Sequence, residues 1–321
     1  MLILLIAAGQ LACLVLGISW FLTRLEYGLA VGLPEIADAG PREMLDRILN
    51  SAYVAGFAIA LVIIVIGTLL TIFILQRYED RLSNSNDKLT EELRRRGHAL
   101  HRARDAVVFG LAKLAESRDD DTGEHLDRIQ IYVGILAQEL SHRYPTLTQE
   151  QAATLKATSA LHDIGKVGIP DAVLLKPARL TPDEREIIQT HPEIGGRCLQ
   201  AIKARLEDDG FFDVACEIAY SHHERWDGGG YPAGLKGDRI PLSARIVALA
   251  DTYDALTTQR VYKPAYSHER ARDIIVADRG KHFDPDVVDA FIAHEQEFER
   301  ITLARSAARR SHVDPATTST F

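Results

Sequence analysis

Cysteine is scarce in this chain. Only three occur in 321 residues (Cys13, Cys198 and Cys216), and none forms a Cys-x-x-Cys pair. That excludes a disulfide scaffold and a cysteine-ligated zinc site. Two long stretches lack charge: residues 1–23 and 48–76 contain no Asp, Glu, Lys or Arg. A basic excess is missing too. The formal net charge is −8, and acid still outnumbers base in residues 77–321. Broad binding to nucleic-acid polymers needs a basic face to neutralise phosphates, so none is expected. A small anionic ligand in a local basic pocket remains compatible with this balance. No glycine-rich phosphate cradle follows a strand, and no alternation of strands with helices is visible. The mean hydropathy of −0.06 averages two membrane-like segments with a polar remainder, which is not the pattern of a secreted globular protein.

A helix needs about 20 apolar residues to cross a bilayer. Residues 1–23 and 51–76 both reach that length and predict a membrane anchor over 1–76, with a short extracytoplasmic loop at 24–50. The first run is too long for a cleavable signal peptide, lacks a positive start and has no clean small-x-small site after it. Between Arg77 and Arg104 there are eight Lys/Arg residues, against three in the intervening loop. The positive-inside rule therefore places both termini and the long C-terminal part in the cytoplasm. The loop is too short to fold as a sensory domain with its own core.

Residues 77–105 read as a helical linker. Asn86, Leu93, Leu100, Val107 and Leu114 recur at one heptad position and Leu82, Leu89, Arg96, Ala103 and Gly110 at the other. The spacing fits a parallel two-stranded coiled coil, and hence a homodimer, with Asn86 setting the register. It fits a solvated amphipathic helix equally well. Beyond residue 105 the signals are helical throughout, so the fold class is all-α. Thr181-Pro182-Asp183-Glu184 is a capping box with proline at the first helical position, and Asp284-Pro285 begins another helix. Gly228-Gly229-Gly230 before Tyr231-Pro232 reads as a loop over a site. A catalytic domain is expected over 106–300, followed by a frayed tail at 301–321.

Twelve histidines are present. Seven (His98, His101, His142, His268, His282, His294 and His312) lie in polar contexts and read as surface. The other five, His125, His162, His191, His222 and His223, sit beside carboxylates or glycine turns. His162-Asp163 ends an apolar run, where a charged Asp is costly to bury unless paired or metal-bound. His222 and His223 are neighbours near a helix end, about 100° apart, and can reach around one cluster. Asp251 is a lone carboxylate in the apolar stretch Ile246-Val247-Ala248-Leu249-Ala250. Imidazoles with carboxylates and no thiolate suit Fe, Mn or Zn.

In order, His162-Asp163-Ile164-Gly165-Lys166 and His222-His223-Glu224-Arg225-Trp226-Asp227-Gly228-Gly229-Gly230-Tyr231-Pro232 resemble the HD-GYP family, a branch of the HD-domain metal-dependent phosphohydrolases. The resemblance continues through His191-Pro192-Glu193-Ile194-Gly195 and Ala250-Asp251-Thr252-Tyr253-Asp254-Ala255-Leu256-Thr257, covering roughly residues 106–300.

The resemblance implies a helical bundle with two or three metals that hydrolyses the bacterial second messenger cyclic di-GMP, here at the cytoplasmic face of the inner membrane. His125, His162, Asp163 and Asp251 would hold one ion, and Asp163 would bridge to a second held by His191, His222 and His223. Two ions, Fe or Mn, are expected to activate a bridging hydroxide. Lys166 would face the scissile phosphate. Tyr231, Arg260 and Lys263 would grip the dinucleotide, while Glu224 and Asp227 would orient ligands and the loop. Asp121 departs from the family pattern, which carries the longer Glu in three-metal members. It is therefore expected as an outer or water-mediated ligand, with a third metal disfavoured. Two other readings remain: a cyclic-dinucleotide receptor or scaffold with little turnover, and an HD phosphohydrolase acting on another nucleotide. The complete ligand set argues against the first, and Tyr231-Pro232 with Arg260 and Lys263 against the second.

Overall fold

The computed structural model describes residues 9–12, 14–23, 39–118, 124–206, 210–259 and 265–312. Its described residues are helical and contain no β-strand; one isolated bridge joins Arg279 and Phe283. The chain divides into two compact units, residues 1–98 and 99–321.

In the N-terminal unit, α1 (Gly9–Thr23) lies against the first half of α2 (Ala39–Glu116). Trp20 meets Tyr53 edge-on at 6.0 Å and Phe21 stacks on Phe57 at 5.3 Å. Near the other end of the pair, Thr68 Oγ1 donates to Gln10 Oε1 at 3.3 Å. Contacts 20–53 and 10–68 make the two helices antiparallel. Among the described residues, one helix is long and apolar enough to cross a membrane. The expected first span also includes residues 1–8, which lie outside the described residues. Residues 39–50, expected as loop, are the opening turns of α2, because Pro41 near its start is compatible with a helical N-terminus. The apolar seam residues Leu82, Leu89, Leu93, Leu100, Val107 and Leu114 are all exposed.

The C-terminal unit packs α3 (Glu124–Ser141), α4 (Gln149–Thr158), α7 (His191–Lys203), α8 (Phe211–Ser221) and α9 (Leu242–Thr257) around the site. The short helices α5 (Asp171–Leu174) and α6 (Pro182–Ile188) lead into α7, and α6 begins at the capping box read from Thr181 and Glu184. Leu126, Ile129, Tyr132, Val133, Leu136 and Leu140 of α3 recur at helical spacing and are buried. Beyond α9, α10 (His268–Ala277), α11 (Pro285–Ala293) and α12 (Glu295–His312) complete the main core. Tyr132 and Phe298 stack at 4.4 Å there, with Tyr253 and Phe291 edge-on to Phe298. A smaller core joins Val108 and Ala112 of α2 to Leu126, Leu161, Leu199, Phe211 and Ala215.

Two expectations need correcting. Residues 301–312 are helix rather than frayed tail: Phe298 is buried, and Thr302 one turn later lies 3.0 Å from the Tyr132 hydroxyl. Three histidines expected at the surface are half-buried and engaged. His268 pairs with the Tyr253 hydroxyl at 2.9 Å, His294 with Glu139 at 2.9 Å, and His282 stacks on Phe283 at 4.2 Å.

Candidate metal centre

Four local devices deliver the five expected histidines. His125 is the second residue of α3. After α4 the chain tightens into a 3-10 turn, Ser159–Leu161, which His162 caps before a second one, Ile164–Gly168. His191 opens α7, and His222 caps α8 with His223 next. Gly165 and Gly195 let two of these segments meet backbone to backbone. A Cβ on Gly165 would sit 1.9 Å from the His191 carbonyl oxygen and 2.5 Å from Gly195 N. No other residue type fits there, and the contact sets Asp163 beside His191.

The rings share one orientation. Nδ1 of His162 donates to the Ser159 carbonyl at 2.9 Å, Nδ1 of His191 to Ile188 at 2.7 Å and Nδ1 of His222 to Ile218 at 3.0 Å. Nδ1 of His125 faces the Asp254 carboxylate at 2.7 Å. A neutral imidazole whose proton is held at Nδ1 presents its lone pair at Nε2, the form that binds metal. These four Nε2 atoms converge on two carboxylates. Asp163 Oδ1 lies 3.0 Å from His191 Nε2 and 3.5 Å from His222 Nε2. Its Oδ2 lies 3.4 Å from His162 Nε2 and 2.8 Å from Lys166 Nζ. Asp251 Oδ1 is 3.6 Å from His125 Nε2 and 4.0 Å from His162 Nε2.

Two groups result: Asp163, His191, His222 and His223, and His125, His162 and Asp251. Asp163 turns one oxygen to each. Nε2 of His162 and Oδ1 of Asp163 are buried without a hydrogen-bond partner. Buried acceptors facing one another without a proton between them are unfavourable unless a cation joins them. The residues present therefore fit divalent ions.

Electrostatics agree. Burial pushes His222 below the usual imidazole value and His223 well below it. Burial opposes a charge on His162 as well, but Asp163, Asp251 and Glu116 outweigh it and raise this ring to about 9. Negative potential at that pole thus attracts a cation. Burial would raise the Asp163 carboxyl, yet Lys166 and His162 hold it well below the carboxylate range.

The glycine loop is built as a rigid rim. Buried Glu224 accepts from Ala233 N at 2.8 Å and Leu235 N at 3.0 Å. Asp227 accepts from Gly229 N at 2.9 Å and from Arg225 at 3.0 Å, while its own N–H donates to Lys281 O at 2.8 Å. The bonds of Glu224 and Asp227 described here brace the loop. A Cβ on Gly230 would lie 2.4 Å from Arg225 N, so the backbone closes there without space for a side chain. The loop lays Tyr231 on the His223 ring, centroids 4.7 Å apart and planes 25° from parallel. Tyr231-Pro232 is a cis peptide. Asp121, Arg260 and Lys263 lie outside the described residues.

Two residues beside the centre had escaped the sequence reading. Asp254, buried on α9, accepts from Arg128 Nη2 at 2.9 Å as well as facing His125. It follows Asp251 by three residues, and two carboxylates at that spacing in an apolar helix share a face. Glu116, the last residue of α2, is 6% exposed, with Oε1 3.6 Å from His125 Nε2. Its sequence signal was an acid closing the mostly apolar stretch Val107–Ala115, interrupted by Lys113 and masked by the heptad in which it sits.

Residues 110–287 match the HD-domain family. A Vibrio cholerae protein named "Probable cyclic di-GMP phosphodiesterase" is 53% identical over 227 residues, 70% of this chain and 52% of that protein. The "Cyclic di-GMP phosphodiesterase" of the same organism is 51% identical over 201 residues, 62% of this chain and 41% of its own length. Its "3'3'-cGAMP-specific phosphodiesterase 2" is 43% identical over 192 residues, 60% of this chain and 35% of the relative. The chain thus spans about half or less of the length of these curated relatives.

Proposed function

The chain belongs to the HD-domain family, in its HD-GYP branch, and from that premise we propose that it hydrolyses cyclic di-GMP to linear pGpG, with further cleavage to GMP. The observation that carries this reading is the Asp163 carboxylate, which offers one oxygen to each of two ligand groups, four of whose five imidazoles are oriented through Nδ1. His125, His162 and Asp251 would hold one ion, and His191, His222 and His223 the other, with Asp163 shared. Fe or Mn suits these hard and borderline donors. Divalent ions there would neutralise the phosphodiester and lower the pKa of the attacking water.

The chain's own residues supply the rest. Lys166, 2.8 Å from Asp163, is placed to stabilise charge developing on the phosphoryl oxygens or the leaving oxygen. Tyr231, held over His223 by the loop that Glu224 braces, would contact the guanine or phosphate groups, with Arg260 and Lys263 as further contacts. Burial of the imidazoles excludes bulk water from the metal-facing atoms.

The antiparallel contacts of α1 and α2 support a two-span anchor, and the eight Lys/Arg between Arg77 and Arg104 support a catalytic domain on the cytoplasmic side of the inner membrane. Exposure of Leu82, Leu89, Leu93, Leu100, Val107 and Leu114 supports pairing of two copies through this seam.

The relative named for 3'3'-cGAMP supports a second reading, in which that mixed dinucleotide is the substrate. Full-length protein, purified anaerobically in detergent and loaded with Fe or Mn, should convert cyclic di-GMP to pGpG with higher kcat/KM than it converts cyclic GMP-AMP. The reverse order would favour the second reading. Binding without turnover by fully metallated protein would leave the receptor role.

A further inference from the structure

Glu116 has no place in the ligand set assembled above, yet its carboxylate is buried against that set. It closes α2 and brings Oε1 to 3.6 Å from His125 Nε2, the separation at which Asp251 Oδ1 lies from the same nitrogen. Its charge also acts on His162. Glu116 thus lies against His125 and within electrostatic reach of His162.

The approach of Glu116 to His125 is not a hydrogen bond. The His125 ring is held through Nδ1 by the Asp254 carboxylate, which needs the proton on that nitrogen. In the neutral ring its Nε2 is then an acceptor and faces two carboxylate oxygens, also acceptors. A separation of 3.6 Å exceeds that of a normal hydrogen bond. Nearby, His162 Nε2, on a ring with 0% exposure, has no hydrogen-bond partner and points into the same space. Two donors bound to one ion at about 2.1 Å sit about 3.0–3.4 Å apart, depending on octahedral or tetrahedral geometry. Contraction by a few tenths of an ångström would bring the Glu116–His125 and Asp251–His125 pairs to that spacing.

We propose that Glu116 is a direct ligand of the ion held by His125, His162 and Asp251, so that the end of α2 forms part of the metal centre. This rests on the reading that these three residues bind metal. The carboxylate completes a donor set of two imidazoles and two carboxylates, which suits a divalent Fe or Mn ion. It also adds negative charge at this pole, whereas among the described residues the Asp163–His191–His222–His223 group includes no second carboxylate. The ion at the His125 pole should therefore bind more tightly with Glu116 ionised than with a neutral isostere.

The test compares wild type, E116Q, H125A and the double variant E116Q/H125A, each as the full chain stripped with chelator. Mn(II) binding is read by calorimetry and elemental analysis, and helicity by circular dichroism. The expected result is that E116Q weakens one Mn(II) step at least 10-fold, the same step that H125A removes, and that the double variant loses no more than H125A alone. If H125A removes that step while E116Q leaves its affinity and stoichiometry unchanged, Glu116 is not a ligand. If H125A itself binds every ion as the wild type does, the metal-centre reading fails instead. Should E116Q lose helicity, Mn anomalous diffraction of the wild type decides. A peak within about 2.0–2.4 Å of a Glu116 oxygen supports the proposal, and peaks beyond about 3 Å from both oxygens overturn it.

Discussion

Replacing Asp254 by Asn isolates one buried carboxylate that touches a metal-facing imidazole without facing the ions itself. Asp254 pairs with the Arg128 guanidinium, 2.9 Å from Nη2, and with Nδ1 of His125 at 2.7 Å. Both partners are donors. An Asn side chain offers one acceptor oxygen and turns its NH2 toward the other donor. Either Arg128, itself buried, loses its anionic partner, or His125 moves its proton to Nε2 and blocks the metal-facing atom. Breaking one side of a buried ion pair costs about 3–5 kcal/mol. Glu124, 3.8 Å from Arg128, offsets part of that loss, so about 3 kcal/mol is expected. For a domain of this size that lowers Tm by roughly 6–12 °C.

The acid response gives an independent measure. Burial would raise the Asp254 carboxyl, but Arg128 and His125 depress it from 3.8 to about 2. A depressed carboxyl contributes stability that is fully present above its unfolded pKa and is lost as pH falls through its folded pKa. The shift corresponds to about 2 kcal/mol, lost between roughly pH 4 and 2. Urea unfolding of chelated full-length protein in detergent should show this slope in wild type, and D254N should lack it. Metal affinity should fall 10–100-fold in D254N, as for other residues that orient a ligand. Unchanged Tm, acid slope and Mn(II) affinity in D254N would refute the reasoning.

D163A, and the double change H222A/H223A, should abolish turnover and lower metal content, read by elemental analysis; either retaining wild-type metal and rate would break the assignment. Y231A should raise KM for cyclic di-GMP several-fold with metal content intact, because its ring lies over His223 at the rim of the cluster. G165A places a Cβ 1.9 Å from the His191 carbonyl oxygen, so it should destabilise the fold by about 1–3 kcal/mol and weaken the ion shared by Asp163 and His191. Wild-type stability and calorimetric affinity in G165A would count against that close contact.

The five imidazoles were legible because each sits in a short motif whose neighbours declare it: a carboxylate beside His162, a second ring beside His222, a proline and a glycine pair after His191. Asp254 and Glu116 were not: the partners of Asp254 lie far along the chain, and Glu116 sits in a heptad-like helix that hides its role. Asp254 meets Arg128 across 126 positions, and proximity of that kind comes from packing α9 on α3. Element type was readable from caps and periodicity, as at Thr181 and Asp284. Element ends were not. The run to Leu161 reads as one helix, but its last residues tighten into a 3-10 turn that aims His162 inward. The exposed seam of α2 stays ambiguous from pattern alone, because the same leucines suit a partner helix or a solvated face.

The inward-facing rings come from segments spread between residues 125 and 223, with Asp251 further on, and no segment contributes more than two donors of one group. An unfolded chain therefore offers a cation no preformed seat, and the energy of binding accrues to the native state alone. At a free-ion concentration 100 times Kd, each site adds about 2.7 kcal/mol to native stability. Chains made while the bound ion is scarce would then unfold more often and be cleared by proteases sooner. Scarcity of the ion would act on the abundance of the protein as well as on its rate, and the cell's metal status would set how long each copy survives.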